Sequence, residues 1–279
     1  MRRVLLTGST GFVGAQVLKS LLAEGAEVTA TLRPGQTPPK GVTPIYTPDL
    51  FAENASFWQV ACAGHTSVIH VAWYAEPGKY LQSARNLDCL AGTIQLFQGA
   101  ISAGVAHFQG IGTCFEYDLA TEALARQTPL TVSAPLAPST PYGAAKAATY
   151  LALSRNCGSM GFAWSRLFYL QGAGEDPRRL VPYIHAQLAA GALVELTSGV
   201  QLRDFLDVAE AGRQIAEVTL HGLTGPLNIC SGQAVTVAEL ALNIARRYGR
   251  PDLVRLGARP DRADDPHYVV GLPSLKARS

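Results

Sequence analysis

Tyr142 and Lys146 stand four residues apart in Thr140-Pro141-Tyr142-Gly143-Ala144-Ala145-Lys146. That spacing puts two side chains on one face of a helix. An ammonium beside a phenol favours the tyrosinate and lowers its pKa, so the pair can give and take the proton of a carbonyl/alcohol couple. Such a couple also needs a hydride carrier, and the N-terminal residues suggest one. Gly8, Gly11 and Gly14 form Gly-x-x-Gly-x-x-Gly after the apolar Val4-Leu5-Leu6, with Thr10, Phe12 and Val13 between the glycines. At a strand-to-helix turn this pattern gives a pyrophosphate close backbone approach and the unpaired N–H groups of a helix N-terminus. The next strand should end near the adenosine ribose, where NAD binders place a carboxylate about 20 residues past the loop. Here the chain reads Thr31-Leu32-Arg33. A guanidinium suits a 2′-phosphate, which favours NADP(H) over NAD(H). Taken singly, the glycines also fit a plain tight turn, the Tyr-Lys pair an amphipathic surface and Arg33 a solvated side chain.

These residues need strands and helices in strict alternation, and the hydrophobic pattern supplies them. Strands are expected at Val4 to Leu6, Glu27 to Leu32, Val68 to Val71, His107 to Ile111 and Phe162 to Phe168. Helices are expected from Phe12 to Ala23, from about Tyr80 to Ala103 and from about Pro141 to Asn156. This β-α-β-α order predicts an α/β, Rossmann-type doubly wound parallel sheet. After Gly172 the rhythm loosens into a helix at Leu180 to Ala190, short strands at Leu193 to Leu196 and Leu227 to Cys230, and a helix from the capping box Thr236-Val237-Ala238-Glu239 to about Tyr248. The expected division is a dinucleotide-binding domain over 1–168 and a smaller, mainly substrate-binding α/β domain over 169–279, with room for one strand to return to the main sheet.

Composition narrows the class. With 23 Lys+Arg against 21 Asp+Glu, and 16% charged residues, the chain lacks the basic surface that phosphate neutralisation demands, so no nucleic-acid partner is expected. Five scattered cysteines without Cys-x-x-Cys spacing argue against a zinc site or a disulfide framework, and no metal is expected. No stretch approaches the ~18 apolar residues of a membrane span. A cytoplasmic protein is expected.

With these motifs in view the chain resembles the extended short-chain dehydrogenase/reductases, in the branch acting on nucleotide-diphosphate sugars, over nearly its whole length. Pro48-Asp49-Leu50 looks like the family's adenine-contacting Asp-Leu. His70-Val71-Ala72-Trp73 looks like the segment lining its cofactor cleft. Asn86 with Gly92-Thr93 is similar to the Asn-x(5)-Gly-Thr helix. The resemblance makes Asp49, Leu50, Val71, Ala72, Trp73, Asn86 and Phe168 cofactor residues alongside Gly8, Thr10, Gly11, Phe12, Val13, Gly14, Arg33, Tyr142 and Lys146. It makes Thr113 the third catalytic residue, binding the substrate oxygen with Tyr142. Arg203 in Arg203-Asp204-Phe205 and Arg262 in Arg259-Pro260-Asp261-Arg262 resemble the two arginines that hold the substrate diphosphate, with Tyr169 beside them. A homodimer through the helices from Tyr80 and Pro141 is implied in the same way.

Departures from the family select the reaction. Its 4,6-dehydratases carry Asp-Glu directly after the catalytic Thr, and the branch that epimerises at two carbons before reduction uses a cysteine at the second of those positions. Here they are Cys114 and Phe115. Phenylalanine moves no proton, and strand alternation is expected to turn Cys114 to the other side as a buried small hydrophobe. What remains is NADPH-dependent reduction of the C4 keto group of a dTDP- or CDP-4-keto-6-deoxyhexose. The alternatives are a nucleotide-sugar 4-epimerase with tightly held NAD and a non-catalytic NADP-binding sensor. The chain also stops after Leu275-Lys276-Ala277-Arg278-Ser279, where relatives continue into a last helix, so the wall of the sugar pocket is expected to be short.

Overall fold

The computed structural model describes residues 2–120 and 127–276. Its centre is a seven-stranded sheet built from β1 (Arg3–Thr7), β2 (Glu27–Leu32), β3 (Val42–Tyr46), β4 (Ser67–His70), β5 (His107–Thr113), β6 (Gly161–Leu167) and, from late in the chain, Gly225–Ile229. The spatial order is Gly225–Ile229, β6, β5, β4, β1, β2, β3, and every pairing is parallel. The order reverses between β1 and β4. That topological switch point is where open α/β sheets form a ligand crevice beyond the strand C-termini.

Helices cover both faces. On one, α2 (Ala55–Cys62), α3 (Arg85–Ser102) and α4 (Pro141–Asn156) close a core in which Trp58, Leu96, Phe97, Phe108, Leu153, Phe162 and Trp164 are buried. On the other, α1 (Phe12–Ala23) packs Val17, Leu18 and Leu21 against the sheet, with Ile215 and Ala216 joining from Val208–Leu220. After β6 the chain forms α5 (Leu180–Ala189), α6 (Val208–Leu220) and α7 (Val237–Arg247), together with β7 (Tyr169–Gln171), β8 (Val194–Glu195), β9 (Leu202–Arg203), β10 (Phe205–Asp207), β11 (Gly225–Ile229), β12 (Val235–Thr236), β13 (Val254–Arg255) and β14 (Tyr268–Val269). Of these, β11 is a strand of the main sheet and α6 packs against that sheet, while α5 and α7 share a separate core around Ile184, Leu188, Val194 and Ile244.

The helix expected from Tyr80 begins later. Tyr80–Gln82 is a short 3₁₀ turn and α3 starts at Arg85. The buried Asn86 amide donates to the Tyr80 and Ser83 carbonyls, taking acceptors that an earlier helical turn would use, and Ser83 is extended. The strand β3 and the helix α2 fall outside the expected elements.

Candidate active site

The glycine turn sits where β1 gives way to α1. Gly8 adopts φ +75, and a Cβ there would press on the Ala72 backbone nitrogen at 2.7 Å, so the turn lies against the segment following β4. A Cβ on Gly14 would overlap the Gly8 carbonyl oxygen. At the N-terminus of α1, the Gly11 N-cap makes no side-chain hydrogen bond and the first turn carries no acid. Orphan N–H groups and an uncompensated helix dipole suit an anion. Ser9 Oγ and Thr31 Oγ1 are buried polar atoms with no partner among the described residues. These features fit a dinucleotide.

A directed chain of hydrogen bonds fixes the floor between β1 and β4. Ala72 N–H donates to Thr7 Oγ1 at 3.3 Å, and Thr7 Oγ1 lies 2.8 Å from His70 Nδ1. His70 Nε2 lies 2.9 Å from Thr93 Oγ1, which donates to the Cys89 carbonyl at 2.6 Å. Because the Thr93 proton is spent on Cys89, His70 must carry its proton on Nε2, and Nδ1 must accept from Thr7. Burial, reinforced by Lys146, holds the His70 pKa down to about 3, so the ring stays neutral.

Tyr142, Lys146 and Thr113 meet above this floor. Thr140 caps α4 by accepting from Gly143 N–H, with Pro141 in its first turn, which fixes where Tyr142 and Lys146 project. The buried Lys146 ammonium donates to the Ile111 carbonyl at 2.6 Å and lies 3.7 Å from the centre of the Trp73 ring. Burial lowers its pKa to about 7. Tyr142 is half-buried, bonded to the Thr113 side chain, and faces Tyr80, Phe115 and Trp73 edge-on. Its phenol is raised, first by burial and then by Tyr80. The ammonium-driven lowering expected from the sequence is not what the structure shows, because desolvation outweighs any help from a lysine directed at Ile111 and Trp73.

Behind Thr113 lies a buried polar cluster. The Glu116 carboxylate accepts from Thr113 N–H at 2.8 Å, from Trp164 Nε1, and from Arg166 Nε at 2.7 Å. Arg166 continues to the Tyr117 hydroxyl, which donates to Asn228 Oδ1 at 2.6 Å. Burial pushes the Glu116 carboxyl up while the Arg166 guanidinium pulls it down.

Most sequence-predicted residues line one cleft of about 1130 Å³: Gly8, Thr10, Gly11, Phe12, Val13, Gly14, Arg33, Asp49, Leu50, Val71, Ala72, Trp73, Thr113, Tyr142, Lys146, Phe168, Tyr169 and Arg203. Two do not. Asn86 works from behind, accepting from Trp73 Nε1 at 2.8 Å and fixing the Tyr80 turn. Arg262 is 72% exposed and pairs with Asp264, so the structure does not bring the two expected diphosphate arginines together. Arg203, in turn, is paired with Asp265 at 2.5 Å over the Tyr169 ring.

Cys114 is buried in a core cluster, as expected, but not by strand alternation: the strand stops at Thr113, and a capping box between Thr113 and Glu116 opens a turn over Cys114–Glu116. Its thiol borders the cleft, and burial pushes it up to about 12. Sequence reasoning missed Tyr80, Arg179 and Asp265, which also line the cleft. Among the described residues no group of three or more His, Cys, Asp or Glu could hold a metal, and no helix is long and apolar enough to cross a membrane.

Residues 4–230 match the family model described as the NAD dependent epimerase/dehydratase family. The chain is 25% identical over 259 residues to a dTDP-6-deoxy-L-talose 4-dehydrogenase (NAD(+)) from Aggregatibacter actinomycetemcomitans, covering 88% of this chain and 93% of that one. Its fold is similar to a UDP-N-acetylglucosamine 4-epimerase from Methanobrevibacter ruminantium M1 (TM-score 0.83, 20% identity, 99% and 93% covered). It is also similar to a dTDP-glucose 4,6-dehydratase from Streptomyces venezuelae with NAD bound (TM-score 0.78, 23% identity, 97% and 88% covered). At these identities the structural likenesses speak for the fold.

Proposed function

Because the chain belongs to the NAD dependent epimerase/dehydratase family, we propose that it is a nucleotide-sugar 4-ketoreductase: it reduces the C4 keto group of a dTDP- or CDP-4-keto-6-deoxyhexose with NADPH. The observation that carries this reading is Tyr142 and Thr113 lining the same cleft as the glycine turn, with Lys146 one helical turn on from Tyr142. The name of the dTDP-deoxytalose relative points to the same redox couple.

A bound nicotinamide would supply the hydride. The glycine turn and α1 would hold its pyrophosphate, Asp49 and Leu50 the adenine end, and Arg33 a 2′-phosphate. The chain's own groups handle the proton. The Thr113 hydroxyl orients the substrate carbonyl, Tyr142 donates a proton to the oxygen as it becomes an alcohol, and Lys146 supplies positive charge beside the site. Dehydration is disfavoured, since Phe115 carries no acid and the Cys114 thiol is held protonated at neutral pH.

Arg33 at the mouth of the cleft, with no carboxylate beside it at the end of β2, supports NADPH, although the relative's name specifies NAD(+). A homodimer is supported by apolar side chains left exposed on the helices that the resemblance pairs across a dimer, Leu87 on α3 (66%) and Leu151 on α4 (53%). The second reading is 4-epimerisation with retained NAD, for which Tyr142 and Thr113 would handle the same proton.

The test mixes purified protein with a panel of nucleotide-sugars and follows NADPH absorbance. Oxidation of NADPH by a 4-keto sugar, lost in Tyr142→Phe, supports the reductase. Interconversion of two sugars without net cofactor change favours the epimerase.

A further inference from the structure

We propose that Tyr80 is a specificity-determining residue whose phenol hydroxyl hydrogen-bonds a hydroxyl of the substrate's sugar beside the reacting carbon. The proposal rests on the nucleotide-sugar reading above and adds to it a residue that no motif singles out.

Three tyrosines from three separate elements converge on one part of the cleft: Tyr80 from the turn before α3, Tyr142 from α4 and Tyr169 from β7. The Tyr80 ring meets Tyr142 edge to face with centroids 4.8 Å apart. Phe115 bridges Tyr142 and Tyr169, at 6.4 Å and 6.2 Å. The three phenols also sense one another electrostatically: Tyr80 acts on both Tyr142 and Tyr169. The Thr113 side chain acts on the Tyr142 phenol, whereas the hydroxyls of Tyr80 and Tyr169 find no hydrogen-bond partner among the described residues.

Tyr80 does not reach this position by chance of a loose loop. Its backbone N–H donates to the Glu76 carbonyl at 3.0 Å, and its carbonyl accepts from the buried Asn86 amide at 2.7 Å. The same Asn86 side chain accepts from the Trp73 indole. One buried amide therefore sets both the ring that covers Lys146 and the ring that covers Tyr142. Here the shift of the α3 start to Arg85 gains a consequence: the carbonyl withheld from the helix is the one that anchors Tyr80.

Aromatic faces with free hydroxyls at their edges suit a ligand that alternates C–H faces with hydroxyl groups, as a pyranose does. Arg179, a cation suited to a diphosphate, lines the same cleft as Tyr80 and Tyr142. A protein hydroxyl aimed at a substrate hydroxyl discriminates strongly, because removing either partner leaves the other unpaired in a dry site.

The experiment compares affinities for dTDP and UDP with those for dTDP-glucose and UDP-glucose by calorimetry, in the protein saturated with NADPH. The sugar increment is the ratio of the two affinities. In Tyr80→Phe the increment should fall about 10-fold, as a lost bond of 1.4 kcal/mol requires, while affinity for the bare nucleoside diphosphate and for NADPH stays unchanged. Asn86→Ala, which frees the Tyr80 turn, should reduce the increment in the same direction. A sugar increment that survives Tyr80→Phe, or an equal loss for sugar and bare diphosphate, overturns the role of Tyr80 alone. A wild-type protein that binds no nucleoside diphosphate or nucleotide-sugar overturns the functional reading beneath it.

Discussion

Glu116 and Arg166 form a fully buried ion pair, 2.7 Å apart, directly behind Thr113. The pair is held by bonds outside it: Glu116 accepts from the Thr113 and Trp164 N–H groups, and Arg166 lies against the Tyr117 and Tyr150 rings. Breaking a buried pair by removing one partner strands the other charge and costs about 3–5 kcal/mol. Glu116→Gln keeps the shape and removes the charge, so it should lower unfolding free energy by about that much. The double variant Glu116→Gln with Arg166→Met should recover part of the loss. Denaturant unfolding of the three proteins checks this. In the same variants kcat should fall more than KM rises, because Thr113 loses the carboxylate that fixes the end of β5.

Lys146 gives a pH dependence of the same sign as acid denaturation, displaced to neutral and alkaline pH. Burial holds its folded pKa down to about 7, against an ordinary 10.5. Between those values the unfolded chain binds a proton that the folded protein does not, so stability rises with pH across that window. Below pH 7 both states are charged and the full penalty of burying the ammonium applies. At 1.36 kcal/mol per pKa unit the gain from pH 7 to 10 is on the order of 4 kcal/mol. Unfolding of the cofactor-free protein at pH 6.5, 8 and 9.5 should follow this slope, and Lys146→Met should flatten it.

That most of the candidate residues share one cleft was legible because local rules fix their positions. A glycine turn after β1 and a four-residue spacing on a helix with Thr140 as cap and Pro141 in its first turn are decided by neighbours in the chain. The sheet core was legible for the same reason, since strands buried on both faces read as apolar runs. Missed elements have particular causes. Pro44 argues against a strand, yet β3 is the sheet edge, where a missing N–H is tolerated. Helix α2, capped by Asn54, is only eight residues, too short for its apolar spacing to separate helix from strand. Tyr80 and Cys114 needed tertiary facts: one depends on an amide six residues away, the other on a carboxylate that ends the strand early. Arg262 failed differently, because its pairing with Asp264 and its exposure follow from where the 257–267 segment lies.

The Thr7–His70–Thr93 chain predicts a defined lesion. Thr7→Val keeps the volume but removes the hydroxyl that donates to His70 Nδ1 and accepts from Ala72 N–H. A buried acceptor left unmade costs about 1–3 kcal/mol, so the midpoint of chemical unfolding should shift accordingly. Ala72 backs the glycine turn, so dinucleotide affinity should fall as well. His70, with its pKa near 3, should contribute no step to the activity profile between pH 5 and 7. An NMR titration of the imidazole over that range should show a constant shift in both proteins.

Arg33 offers the clearest separation between the two cofactors. It is exposed at the cleft edge, and its backbone N–H is held by Gln36 Oε1 at 2.8 Å, so the backbone position survives loss of the side chain. A guanidinium that meets a 2′-phosphate contributes a charge-assisted bond worth about 1.5–3 kcal/mol. Arg33→Ala should therefore weaken NADPH binding roughly 10- to 100-fold. NADH lacks that phosphate and should change less than 3-fold. Fluorescence titrations of both cofactors, repeated at low and high salt, test the assignment. The NADPH defect should shrink as salt rises, because screening weakens the wild-type contact first. Equal losses for the two cofactors, or none, would reassign the 2′-phosphate reading and leave NAD(H), as in the name of the deoxytalose relative, as the cofactor.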